Sequence, residues 1–199
     1  MLLDHNDSQL VLIDYQERLM PVLHDAQAAI ANARRLVQAA ALMQLPVWFT
    51  EQNPQKLGPT VAGLRPDDAP VVAKMDFSAA SDLASRLRPP VRASAGNARS
   101  LPKHLQKPAE PEPGRNTLVL AGCEAHICLM QTALELLEDE FEVWVVTDAC
   151  TSRTERNRDA AFDRLAGAGV ELVTTEMVAF EWLRSAAHPR FREVSALIK

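Results

Sequence analysis

The chain has 199 residues, 47% hydrophobic and 24% charged, enough to bury one sizeable core and at the upper end of common single-domain length. Its formal net charge of −5 offers no basic field for nucleic acid or anionic lipid, so neither is an expected partner. The longest apolar runs fall far short of the roughly 20 residues that cross a bilayer, and no membrane span is expected.

Three cysteines, Cys123, Cys128 and Cys150, and a polar opening from Asp4 to Ser8 in place of a signal segment predict a reducing, cytoplasmic setting. Leu10-Val11-Leu12-Ile13 reads as a strand buried on both faces that ends at Asp14. Asp25 is placed to cap a helix in which Ile30, Ala33, Val37 and Ala40 recur at helical spacing until Leu45-Pro46 stops it. Strand two follows at Pro46 to Thr50, and strand three at Val71 to Lys74. Ser81 to Leu87 gives a short helix that Pro89-Pro90 cuts off.

Between Pro89 and Gly114 lie six of the thirteen prolines and no apolar period. This segment, about 89–115, is expected to be a loop or insert: a lid, a partner-binding arm or a disordered stretch. Thr117 to Ala121 is strand four, followed by a turn at Gly122 and a helix from about His126 that carries Ile127, Met130, Ala133, Leu134 and Leu137 inward. Val143 to Val146 is strand five. Ser152 and Glu155 have capping-box spacing for a helix that ends at Gly167 and Gly169. Val170 to Val173 is strand six, and Glu176 to Arg184 a last helix.

Strands and helices thus alternate along the chain. Right-handed crossovers then predict a single α/β domain over 1–199: a doubly wound, mostly parallel six-stranded sheet with helices on both faces. Ligands of such sheets bind beyond the carboxyl ends of the strands, where the strand order reverses. Asp14, Lys74 and the segment around Cys128 all follow strand ends, so three chemically distinct groups are expected on one sheet edge.

Cys128 falls near the start of a helix, where unsatisfied N–H groups and the helix dipole favour a thiolate, and Lys74 would push its pKa down further. Position alone leaves two readings open, a reactive thiol and a small buried apolar residue. Asp14 and Lys74 are each readable as structural ion-pair members. Taken together with a thiol, they supply the base, cation and nucleophile of covalent hydrolysis.

Four pieces carry a family resemblance: Leu12-Ile13-Asp14-Tyr15-Gln16, Lys74-Met75-Asp76-Phe77-Ser78-Ala79, Leu120 to Ala133 around Gly122-Cys123-Glu124-Ala125-His126-Ile127-Cys128, and Val146-Thr147-Asp148-Ala149-Cys150-Thr151-Ser152. In order and spacing they resemble the isochorismatase-like cysteine hydrolases, which include nicotinamidases and N-carbamoylsarcosine amidases. The resemblance spans roughly Leu10 to Leu183 without the proline-rich segment. It implies that Asp14 is the general base, Lys74 the cation beside it and Cys128 the nucleophile. It also implies a cis peptide bond between Cys123 and Glu124, with an oxyanion hole formed by the backbone N–H groups of Glu124 and Cys128. The implied activity is hydrolysis of a small amide, carbamoyl or ester compound through a thioester, without a cofactor, in a homo-oligomer.

The chain departs from the nicotinamidase pattern at the metal site. The Asp-Trp-His-Pro-like segment reads Glu51-Gln52-Asn53-Pro54 here, and Leu57 stands where a second His would fall, so no metal is expected. Ala125-His126 replaces the Thr-Glu pair that often precedes the nucleophile. Tyr15, Gln16, Asn53, Phe77 and His126 are expected around the substrate, with Phe180 a further pocket candidate. For Gln16 bracing, for Phe77 and Phe180 core packing, and for His126 a solvent or subunit contact stay open as alternatives. Asp148 is expected to anchor the turn before Ser152, and Cys123 and Cys150 to be packing residues. Two other functions stay open: a binding or scaffold protein of this fold, and isochorismate-type vinyl ether cleavage, which needs an acid more than a thiol.

Overall fold

A computed structural model describes residues 1–88 and 114–199. Its centre is β1 (Ser8–Ile13), all six residues of which are buried, as an apolar run without alternation requires. The other strands are β2 (Val47–Gln52), β3 (Val71–Lys74), β4 (Thr117–Gly122), β5 (Glu142–Val146) and β6 (Glu171–Val173). They form one sheet in the order β3-β2-β1-β4-β5-β6, with every neighbouring pair parallel. The chain moves outward from β1 through β2 to β3, crosses back to β4 on the other side of β1, and moves outward again. The order therefore reverses between β1 and β4, and the loops leaving these strands diverge there to open a crevice.

The helices are α1 (Ala26–Leu42), α2 (Pro54–Leu57), α3 (Ala80–Leu87), α4 (Met130–Glu138), α5 (Glu155–Ala168), α6 (Thr175–Leu183) and α7 (Phe191–Ile198). One group packs α1 with α6 and α7; a second packs α3 against α4 and α4 against α5. The inner stripe of α1 is Ala29, Ile30, Ala33, Leu36, Val37, Ala39 and Ala40, largely small side chains that let the helix lie close to the sheet. Trp182 of α6, fully buried, donates its indole N–H to Ser8 Oγ at 3.1 Å and so satisfies its one polar atom inside the core.

The element order follows the sequence reading, with differences at the ends. Asp25 precedes α1, but with φ +46° and without a side-chain cap. The expected capping box at Ser152 is replaced: Thr154 caps α5, its hydroxyl accepting from the Asn157 N–H at 3.3 Å. Ser152 instead faces His126 Nδ1 at 2.9 Å. α2 and α7 have no counterpart in the sequence reading, although in α7 Phe191, Val194, Leu197 and Ile198 recur at helical spacing and pack on the core. Of the proline-rich segment, residues 89–113 lie outside the described residues. Its last residue, Arg115, is fixed, with its guanidinium donating to the carbonyls of His5 and Ser8 at 2.6 and 2.8 Å.

Candidate active site

Asp14 is the first residue after β1, with φ +54° and its N–H donating to the Thr50 carbonyl at 3.2 Å. The left-handed turn, which Asp tolerates better than most residues, directs the carboxylate across the end of β2. Both oxygens are engaged: Oδ1 accepts from Thr50 Oγ1 and Oδ2 from Lys74 Nζ, each at 2.7 Å. Lys74 ends β3, and its ammonium also donates to the carbonyls of Asp76 at 3.2 Å and Phe77 at 2.9 Å. Its three hydrogens thus each have an acceptor, and neither side chain of the pair is exposed to solvent.

Gly122 ends β4 beside Ile13. A Cβ there would lie 2.6 Å from Ile13 Cβ and 2.7 Å from Ile13 O, so only glycine permits this approach. The Cys123 N–H then donates to Ile13 O at 2.9 Å. The Cys123–Glu124 peptide bond is cis, as the resemblance implied. The Glu124 N–H has no hydrogen-bond partner among the described residues, which leaves it free to face a ligand. A π-helical turn over Ala125–Leu129 follows and places Cys128 directly before α4.

The Cys128 thiol donates to Gln52 Oε1 at 3.2 Å. Burial, with the Asp14 carboxylate adding to it, pushes the thiol pKa up to about 12 against the opposing pull of Lys74. This corrects the expectation of a lowered pKa: desolvation of a residue only 6% exposed outweighs the nearby ammonium. Cys123 and Cys150 are free and buried. Burial raises both thiols, that of Cys150 to about 12 and that of Cys123 well above its ordinary value.

Cys128 and Asp14 line one cavity of about 410 Å³. Leu19, Leu57, Phe77 and Ile127 form its apolar walls, Gln52 and Asn53 add polar groups, and Lys56, Glu124 and Arg153 complete the lining. Asn53, at φ +39°, donates its N–H to the Lys74 carbonyl at 2.9 Å and so ties the end of β2 to β3 beside the cavity. Phe77 is 52% exposed, so the core-packing alternative does not hold for it. The Glu124 carboxylate, opposed by burial, is held below its ordinary pKa by Arg153, which donates Nη2, Nε and its backbone N–H at 2.7, 3.1 and 3.0 Å.

Three residues expected around the substrate stand elsewhere. Tyr15 is buried, and its hydroxyl donates to the Ala149 carbonyl. Gln16 is buried too: its Nε2 donates to the carbonyls of Gln52 and Gly58 at 3.0 and 2.7 Å, and its Oε1 accepts the Gln52 N–H at 2.8 Å, so it braces β2 against the loop. His126 points to Ser152 and Asn157, on the α5 side, where the half-buried ring has partners for both nitrogens. Phe180 packs against Phe191 at 6.5 Å between ring centroids. Asp148 accepts from the N–H and hydroxyl of Thr175, at 2.8 and 2.9 Å, and anchors the start of α6 in place of the turn before Ser152. Sequence reasoning missed Gln52, Lys56 and Arg153. Gln52 ends β2 as Lys74 ends β3, but the apolar run of β2 stops at Thr50, so the sequence does not show that the strand continues to it.

Where the order of this all-parallel sheet reverses, a thiol and a carboxylate thus share one cavity, with an ammonium paired to the carboxylate, the grouping that the sequence resemblance implied for a hydrolase. Residues 8–177 match the model of the Isochorismatase domain, and the chain belongs to that family. It is 34% identical over 196 residues to isochorismatase domain-containing protein 2 of Xenopus laevis, covering 98% of this chain and 85% of that one. The human protein of the same description is 32% identical over 192 residues, covering 96% and 83%. Among solved structures, a MAR1 ribonuclease from Caenorhabditis elegans superposes with TM-score 0.84 at 29% identity, covering 100% of this chain and 92% of the other. The YcaC gene product of Escherichia coli, described as an octameric hydrolase of unknown specificity, gives 0.77 at 26%, covering 98% and 95%.

Proposed function

We propose that the chain is a cysteine hydrolase that cleaves a small amide, carbamoyl or ester compound through a thioester on Cys128. The observation that carries this reading is the fully buried Asp14–Lys74 pair, whose Asp14 belongs to the lining of the same cavity as Cys128. A buried ion pair is a costly way to hold a fold together, and its placement against a lone thiol gives it chemical work.

With its pKa near 12, the thiol keeps its proton at neutral pH, so the nucleophile forms only as it attacks. Asp14 takes the sulfur proton while the S–C bond forms and the carbonyl π pair moves to oxygen. The backbone N–H groups of Glu124 and Cys128 receive that oxyanion, a contribution of about 3–4 kcal/mol per donor. The C–N or C–O bond then breaks, and the leaving group departs with the proton from Asp14. Water gives one proton to Asp14 and its hydroxyl to the acyl carbon, the C–S bond breaks, and the proton returns to sulfur. Leu57 has no ligand atom where the nicotinamidase pattern has a histidine, so the reading involves no metal. The octameric neighbour from E. coli supports a homo-oligomer. Three free cysteines suit a reducing compartment such as the cytoplasm.

The test is a panel of primary amides, carbamoyl compounds and esters, assayed with the wild type, Cys128→Ala and Asp14→Ala. Turnover is expected in the wild type alone, with an acyl adduct on Cys128 seen by intact mass after rapid quenching. Undiminished turnover in Cys128→Ala would rule out the thioester route, and cleavage of a vinyl ether by that variant would favour the acid-driven chemistry. A labelled RNA oligonucleotide belongs in the same panel because of the ribonuclease neighbour, although the net charge of −5 disfavours a polyanion.

A further inference from the structure

Gln52 is held by contacts on every polar atom. Its backbone N–H and carbonyl both bond the Gln16 amide, at 2.8 and 3.0 Å, and its Nε2 donates to the Met75 carbonyl at 2.9 Å. A carbonyl can only accept, so the NH2 end must face Met75, and the Oε1 end must face the cavity and the Cys128 thiol. Gln52 is paired in register with Lys74, which puts their side chains on the same side of the sheet, together with Thr50 two residues earlier. At rest, therefore, Cys128 Sγ lies 3.2 Å from Gln52 Oε1, a neutral acceptor that shares the thiol with the neighbouring Asp14 carboxylate, while both Asp14 oxygens are held by Thr50 and Lys74.

We propose that Gln52 is a specificity-determining residue: its Oε1 accepts an N–H from the substrate and thereby releases the Cys128 thiol to turn toward Asp14. The inference rests on the hydrolase reading and narrows its substrate class to carbonyl compounds that carry N–H on the attacked carbon, primary carboxamides and carbamoyl groups. An ester presents an alkoxy oxygen at that place, lone pair against lone pair, and leaves the S–H bond where it was. The order of events follows. The substrate N–H displaces the thiol at Oε1, the thiol proton passes to Asp14 as the S–C bond forms, and the nitrogen leaves with that proton.

The test compares acylation of Cys128 by 4-nitrophenyl carbamate and by methyl 4-nitrophenyl carbonate, which share the leaving group and carry NH2 or OCH3 on the carbonyl carbon that sulfur attacks. Each rate constant, read from the first burst of nitrophenol with Cys128→Ala as background, is divided by that of glutathione at the same pH. The wild type should favour the carbamate by up to about tenfold, the value of one hydrogen bond. Gln52→Leu, which keeps the size and removes the acceptor, should bring the normalised ratio to about one. An equal ratio in wild type and Gln52→Leu overturns the proposal. The burst precedes turnover, so its outcome is separate from the hydrolysis panel: a flat ratio with Cys128-dependent turnover removes only the role of Gln52. A merely structural Gln52 would change both rates together and leave their ratio untouched.

Discussion

Lys74 Nζ stands 2.7 Å from Asp14 Oδ2, both side chains fully buried, although β2 separates their strands in the sheet. Removing one member leaves the other charge uncompensated in a dry site. Lys74→Met should therefore cost about 3–5 kcal/mol in urea unfolding. The double variant Lys74→Met with Asp14→Asn should lose less than the sum of the singles, since it buries no lone charge. A loss under about 1 kcal/mol in Lys74→Met would show the pair to be far better solvated than its burial implies.

Gly122→Ala tests the approach of β4 to β1. The new methyl would meet the Cβ and carbonyl oxygen of Ile13 at 2.6 and 2.7 Å, and backbone cannot step aside as a side-chain tip does. A destabilisation of about 3 kcal/mol is expected, at the upper end for overpacking. Any hydrolase activity should fall by more than the folded fraction does, because the displaced strand carries the Glu124–Cys128 turn. A thermal melt matching the wild type would contradict the prediction.

The resting state of Cys128 is open to a pH titration of its alkylation. With the thiol near 12, its iodoacetamide rate should climb about tenfold per pH unit from pH 7 to about 11 without levelling off. A plateau below pH 9 would mean that the thiolate is already present in the free protein. Should that be seen, the concerted proton transfer to Asp14 would give way to a preformed ion pair.

Cys150 gives the same shift a stability consequence. Its thiol, fully buried, is raised from 9.0 to about 12, so the folded protein keeps a proton that the unfolded chain gives up above pH 9. Below pH 9 the two states bind it equally and the contribution is constant. Between pH 9 and 12 stability should fall by about 1.4 kcal/mol per pH unit for this group. Cys150→Ala should flatten the alkaline limb of a stability profile by that slope, whatever its offset at pH 7. An unchanged limb would count against a protonated, buried Cys150.

Arg153→Ala acts at the other end of the pH scale. Against the upward push of burial, the Arg153 hydrogen bonds hold the Glu124 carboxyl below 4.5, which stabilises the fold above that pH and is lost as pH falls through the lowered value. Without the guanidinium, the acid unfolding midpoint should move to higher pH. At pH 7 the loss should be small, because the Arg153 side chain is 59% exposed and its backbone N–H to Glu124 remains. A midpoint that does not move would place the source of acid stability elsewhere.

The six strands, and the sheet edge to which Asp14, Lys74 and Cys128 come, were legible because an uninterrupted apolar run that ends in a polar residue fits a doubly buried parallel strand and little else. Leu10 to Asp14 and Val71 to Lys74 are such runs, and their end groups line or flank one cavity. What was not legible depends on packing at right angles to the chain. Tyr15 and Asp14 are neighbours, yet the left-handed turn at Asp14 sends one side chain toward β3 and the other into the core near Ala149. Ser152 carries the residue type of a helix cap, but His126, from another element, occupies its hydroxyl. The direction of the Cys128 pKa depends on burial, and no spacing in the sequence reports how much water reaches a side chain.

Every ammonium hydrogen of Lys74 already has an internal acceptor, and no solvent touches the group. An inhibitor designed with a carbonyl or sulfonyl oxygen aimed at this cation would gain no affinity from it. Tight binders should instead combine an electrophile for the sulfur with a ring sized to Leu57, Phe77 and Ile127.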